Sequence, residues 1–136
     1  METKVLPAKL EQWDAIVELM DAFLEHSECS EKVKYEIYVS AEEIFTNITS
    51  YAYETDDGVV EISCGLSDET EREFWISFKD WGSPYNPLER PDPDFNIPFE
   101  DRRIGGLGIY MVKKFMDRVE YRNEDGCNFF VIGKRI

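Results

Sequence analysis

The stretch AEEIFTNITSYAYETDDGVVEISCGL, residues 41–66, changes its hydrophobic period part-way, and that change decides the fold class. Up to Ala52 the apolar residues Ala41, Ile44, Ile48 and Ala52 recur every three or four positions, the repeat of one helix face. Asp57-Gly58 is a turn signal. Beyond it Val60, Ile62 and Cys64 alternate with Val59, Glu61 and Ser63, the repeat of two that belongs to a strand. A helix therefore feeds a strand across a short turn.

Reading outward, Val33 and Ile37 carry the helical stripe back to Ser30, whose hydroxyl is placed to cap a helix running to about Tyr53, with Glu31 in its first turn. Before it, Leu10, Trp13, Ile16, Val17, Met20, Phe23 and Leu24 predict the apolar side of a helix over about 9–26. Glu11, Asp14, Glu18, Asp21 and Glu25 supply its wet side. Downstream, the acidic run Asp68 to Glu73 is a turn, and Phe74, Ile76 and Phe78 alternate with Trp75, Ser77 and Lys79 straight into Asp80. Residues 81–106, with Pro84, Pro87, Pro91, Pro93 and Pro98, make a connection of about 25 residues where about four to six are usual, the length of a functional lid or a disordered segment. After Gly108 the spacing of Ile109, Val112, Phe115 and Met116 predicts a helix, then a strand over Arg118 to Arg122, a turn at Glu124-Asp125-Gly126 and a last strand from Asn128 to Lys134. With a short strand ahead of the first helix, this order predicts one α+β domain over residues 1–136. Its expected architecture is a single-layer, mostly antiparallel sheet covered on one face by helices.

Composition narrows the function classes. With 43% hydrophobic residues, including three Trp and nine Phe, the chain can bury a core and is not a disordered acidic tail. A net charge of −14 argues against nucleic acid and anionic membranes as partners, because both are held by Lys and Arg. No apolar run approaches the roughly 18 residues of a membrane span, and Met1 to Val5 lacks a basic-then-apolar leader, so a cytoplasmic location is expected. Cys29, Cys64 and Cys127 form no C-x-x-C pair and His26 is the single histidine, which fits reduced thiols better than a disulfide framework or zinc site.

Three groups of residues carry chemistry. Glu43 and Asn47 lie four apart on the predicted second helix, about 40° apart around its axis. They read either as a solvated helix face or as a carboxylate and an amide able to orient water and hold a divalent cation. Asp80-Trp81-Gly82 ends a strand, as a turn device or as a carboxylate aimed into a pocket, where it could accept from an exocyclic amine such as that of adenine. Gly105-Gly106-Leu107-Gly108 closes the long connection and opens a helix, as a hinge or as a place where backbone N–H groups meet phosphate. No Gly-Lys-Ser/Thr follows, so it is not a Walker A loop.

Glu-x-x-x-Asn on a helix, Asp-x-Gly after a strand, a long loop and Gly-Gly-x-Gly opening a helix together resemble the N, G1 and G2 boxes of the GHKL ATPase superfamily. The strings Val39 to Asn47, Asp80 to Leu88 and Gly105 to Val112 look closest to the bacterial serine kinase anti-sigma factors, and the resemblance runs from about Lys9 onward. It implies a Bergerat-type ATP-binding fold with an ATP lid at about 81–106. Carried over, Asn47 would bind Mg²⁺ and Glu43 would be the general base. Asp80 would accept the adenine amino group, Gly82 would let the backbone approach the base, and Gly105, Gly106 and Gly108 would line the phosphate side of the lid. Arg102 and Arg103 would add positive charge near the γ-phosphate or be a solvated pair. Tyr51 and Ala52 follow Asn47 where the superfamily often has His or Lys and then a small residue. The function implied is an ATP- and Mg²⁺-dependent serine/threonine protein kinase, a homodimer acting on an anti-anti-sigma (STAS-type) partner and sequestering a sigma factor. The other implied function is a non-catalytic switch gated by ATP or ADP. The charge is uneven in a way that suits a phosphate ligand: residues 1–101 hold 7 basic and 25 acidic groups, net −18, whereas residues 102–136 hold 8 and 4, net +4.

Overall fold

The computed structural model describes residues 1–69, 71–97 and 107–136, and within them the elements follow the predicted order. They are β1 (Glu2–Pro7), α1 (Trp13–Leu24), α2 (Glu31–Tyr51), β2 (Val59–Ser67), β3 (Glu73–Asp80), α3 (Leu107–Phe115), β4 (Arg118–Glu124) and β5 (Cys127–Arg135). The five strands form one sheet in the order β1-β2-β3-β5-β4, and every neighbouring pair is antiparallel. β5 comes after β4 in sequence yet lies between β3 and β4. That position puts Asn128 directly across from Asp80.

The alternation of the strands sorts the sheet into two faces. Val60, Ile62 and Cys64 of β2, Phe74, Ile76 and Phe78 of β3, and Phe130 and Ile132 of β5 are all buried. Against them the helices set Ile16, Met20 and Leu24 from α1, Ile37, Ala41, Ile44, Phe45 and Ile48 from α2, and Ile109 and Val112 from α3. Full burial of each large apolar side chain stabilises the fold by about 1.5–3 kcal/mol, so these residues outweigh any surface pair. Asp80 and Asn128 stand at the end of the same buried face.

Helix ends explain where the elements stop. Ser30 caps α2, its Oγ accepting from the Val33 N–H at 3.1 Å. α1 is led in by a 3₁₀ turn at Leu10–Gln12, so the predicted first helix is split. α2 ends at Tyr51, two residues before the expected Tyr53, because Tyr53 serves as a brace: its hydroxyl donates to the Val59 carbonyl at 2.6 Å and accepts from the Trp81 N–H at 2.9 Å. A Cβ on Gly58 would lie 2.1 Å from the Tyr53 ring, which accounts for the glycine in that turn. The residues described between Trp81 and Ile97 contain only a 3₁₀ turn at Pro87–Glu89, and this segment leans on α3 through Asp92 to Lys113 at 2.5 Å and Phe95 against Tyr110. Among the described residues no helix is long and apolar enough to cross a membrane.

Candidate functional site

The end of β3 delivers Asp80 into the fold, 4% exposed, beneath the C-terminal turns of α2. One of its oxygens, Oδ1, is taken: it accepts from the Gly82 N–H at 2.9 Å and from Asn128 Nδ2 at 2.9 Å. Oδ2 accepts no hydrogen bond from the described residues, and Asp80 lines a narrow, mostly apolar pocket. The pocket walls are Ile44, Ile48, Ala52, Pro87 and Phe130, with Tyr51 and Tyr85 in ring contact at its mouth. A flat heteroaromatic ring with an exocyclic amine fits such a site, apolar surface covering the ring and one carboxylate oxygen accepting from the amine.

Asn47 lines the same pocket one helical turn before Tyr51. Its amide nitrogen is buried without a hydrogen-bond partner among the described residues. A buried orphan donor of this kind costs about 1–3 kcal/mol, and a ligand oxygen that accepted from the amide nitrogen would relieve it, leaving the amide oxygen for a cation. One turn further back, Glu43 carries the site away from the apolar pocket. Burial raises the Glu43 pKa above its ordinary value; the nearby Asn47 amide and the positive charge of Arg90 pull it down, and Glu42 pushes it up. The Asn47 amide thus favours the carboxylate's charge without closing a hydrogen bond on it. A half-buried carboxyl with a raised pKa is suited to take a proton from a hydroxyl.

The glycines divide into three cases. Gly108, in the first turn of α3, lies so close to Glu43 that a Cβ would sit 2.1 Å from its carboxylate. Gly82 has its missing side chain turned toward α2, where a Cβ would meet the Ala52 carbonyl oxygen at 2.0 Å, and the next N–H, of Ser83, donates to that oxygen at 2.8 Å. Close packing of the loop on the helix is thus one reason for a glycine at 82, beside the close approach to a ligand that the sequence suggests. Gly105, Gly106, Arg102 and Arg103 lie outside the described residues.

Sequence reasoning also missed Asn128, Tyr121 and Arg90. Asn128 had a readable signal, a polar residue in the core-facing phase of a strand whose next members are Phe130 and Ile132. The basic residues after 106 are largely engaged within the fold: Arg118 pairs with Glu73 at 2.8 Å, Arg135 with Glu71 at 3.2 Å and Lys134 with Glu36 at 3.9 Å. Arg90, from the proline-rich segment, is instead the described cation that acts on Glu43.

The sequence pattern of the histidine kinase-like ATPase domain matches residues 6–133. This chain belongs to that family. Among curated proteins it is similar to the serine/threonine-protein kinase BtrW of Bordetella bronchiseptica, 27% identical over 103 residues that cover 76% of this chain and 71% of the relative. It is also similar to the serine-protein kinase RsbW of Bacillus cereus, 29% identical over 90 residues covering 65% of this chain and 56% of RsbW. The match thus spans little more than half the length of RsbW. Among solved structures, the RsbU and RsbW domains of Rv1364c from Mycobacterium tuberculosis share the fold, with a TM-score of 0.64 and 14% identity. The match covers 99% of this chain and 32% of that one. The histidine kinase domain of the Erythrobacter litoralis EL346 blue-light activated histidine kinase matches over 76% of this chain and 45% of its own, with a TM-score of 0.51 and 15% identity. A histidine kinase-like ATPase domain implies ATP as the nucleotide.

Proposed function

We propose that this protein is an ATP-dependent serine/threonine protein kinase that phosphorylates an anti-anti-sigma partner of the STAS type and holds a sigma factor. The observation that carries the reading is the line of groups along one face of α2. The apolar pocket lined by Asp80 leads to Asn47 and then to Glu43, a carboxyl with a raised pKa one turn beyond. Similarity to two proteins named as serine or serine/threonine kinases supports the kinase part of the reading. In this reading Asp80 Oδ2 accepts from the adenine amine, the walls of Ile44, Ile48 and Phe130 cover the ring, and Glu43 takes the proton from the acceptor hydroxyl. Asn47 would hold Mg²⁺ through its amide oxygen, and the ion would supply charge neutralisation at the phosphates. The segment at about 81–106 is the lid over the nucleotide. In it Gly105 and Gly106 offer backbone N–H groups, Gly108 keeps the start of α3 close to Glu43, and Arg90 brings positive charge.

The test is transfer of labelled phosphate from ATP, with Mg²⁺, to a cognate STAS protein. Glu43→Gln is expected to keep nucleotide binding and lose transfer by about 10²–10⁴-fold, the contribution usual for a general base. Unchanged transfer by Glu43→Gln would overturn the assignment of the base. Tight nucleotide binding with no phosphorylated product in the wild type would replace the kinase with a nucleotide-gated binding switch.

A further inference from the structure

Asn128 is 5% exposed and every polar atom of its side chain is engaged. Its Nδ2 donates to Asp80 Oδ1 at 2.9 Å and to the Ser83 carbonyl at 3.1 Å, with the Gly82 carbonyl at 3.4 Å sharing a proton. Its Oδ1 accepts from the Tyr121 hydroxyl and from Asn123 Nδ2 at 2.9 Å. These bonds fix which way the amide faces, because turning it over would set the Tyr121 hydroxyl's partner and the three acceptors on the wrong atoms. Asp80 is fixed in turn. Its Oδ1 is held by two donors, and Oδ2, which accepts from no described residue, is the oxygen left for a ligand in the pocket that Asp80 lines.

We infer that Asn128 is a positioning residue that sets the base preference of the site, by pinning the Asp80 carboxylate so that an unengaged acceptor faces position 6 of the purine. A 6-amino group donates to that oxygen, whereas the 6-oxo group of guanine presents a lone pair to it, and a carboxylate held from behind cannot turn away. The inference rests on the nucleotide reading of this pocket and adds what discriminates between bases. Tyr121 acts one step further back, since its hydroxyl touches Asn128 and its ring lines the pocket.

The experiment measures dissociation constants of the full chain for ATP and GTP, with melting temperatures of each variant recorded. Asn128→Ala is expected to weaken ATP binding about tenfold while changing GTP binding much less, so that the ATP-over-GTP ratio falls by nearly the same factor. Asn128→Asp, which keeps the volume but cannot donate to Asp80, should lose at least as much preference. Tyr121→Phe should move the ratio in the same direction by a smaller factor. Ile132→Val, a cavity four residues along β5 in the same buried row, controls for lost stability: it lowers the melting temperature and leaves the ratio unchanged. A ratio that stays at the wild-type value in both folded Asn128 variants would overturn the inference and leave the nucleotide site standing. A wild-type chain that binds neither nucleotide would overturn the reading of the pocket and the inference with it.

Discussion

Glu43 is more costly to ionise in the folded chain than in the unfolded one, because burial raises its pKa. The folded state therefore holds this proton more tightly, and the stability it lends is present at low pH and lost as pH rises through the unfolded and then the folded pKa. Glu43→Gln should accordingly raise the melting temperature at pH 7 and leave it nearly unchanged at pH 4. The same shift means that phosphate transfer should fall away on acidification at a higher pH than an ordinary glutamate would give, which a pH–rate profile reads directly. Gly108 and Gly82 should respond in opposite ways. In Gly108→Ala the new methyl meets only the movable end of Glu43, and alanine favours the helix by up to about 1 kcal/mol, so melting should hold or rise while transfer drops. In Gly82→Ala the methyl meets the Ala52 backbone, and a loss of about 1–3 kcal/mol in chemical denaturation is expected. At this scale the sequence was legible for the places of Glu43 and Asn47, one turn apart on a helix, and of Asp80 at a strand end, while their proposed roles come from the family resemblance. It was silent on the Asp80–Asn128 bond, which joins residues 48 positions apart in the chain.

Among the elements, periodicity located all three helices and the strands downstream of α2, since apolar side chains must alternate or recur to reach one core. Boundaries shifted where side chains outside the pattern decide them. Tyr53 left the helix to brace Val59 and Trp81, and the start of the first predicted helix tightened into a 3₁₀ turn. The Ser30 cap was readable because its mechanism is local. Ser30→Ala should lower stability by about 1 kcal/mol in a denaturant titration without altering nucleotide affinity, as α2 is anchored through Ile44, Phe45 and Ile48 near the site. Strand order was beyond reach, because nothing in the spacing of β4 and β5 says that the later strand takes the inner place.

For the molecule as a whole, the division of charge has two different consequences. Within the fold, the basic side chains after residue 106 answer acidic ones from the earlier part, as Arg118 does Glu73 and Lys113 does Asp92. The acidic excess of the first 101 residues is far larger than these pairs can absorb and remains as a field around the protein. Association with the proposed partners should therefore slow as salt rises, and a stopped-flow on-rate indifferent to ionic strength would remove the steering claim. Nucleotide at about 100 times its dissociation constant should add about 2.7 kcal/mol to the folded state, and Asp80→Asn should abolish most of that increment.

The inner position of β5 also bears on how the protein comes into being. A chain emerging from the ribosome has α2 and β3 in hand long before residues 127–135 exist, yet Asp80 Oδ1 has only the Gly82 N–H until that late strand slides between β3 and β4 and brings Asn128. Closing so long a span is slow, and the reward arrives only at its end. On the proposed reading, nucleotide binding is thus a property of the finished sheet: a nascent or nicked chain lacking β5 has no Asn128 donor on Asp80, however complete its helices are.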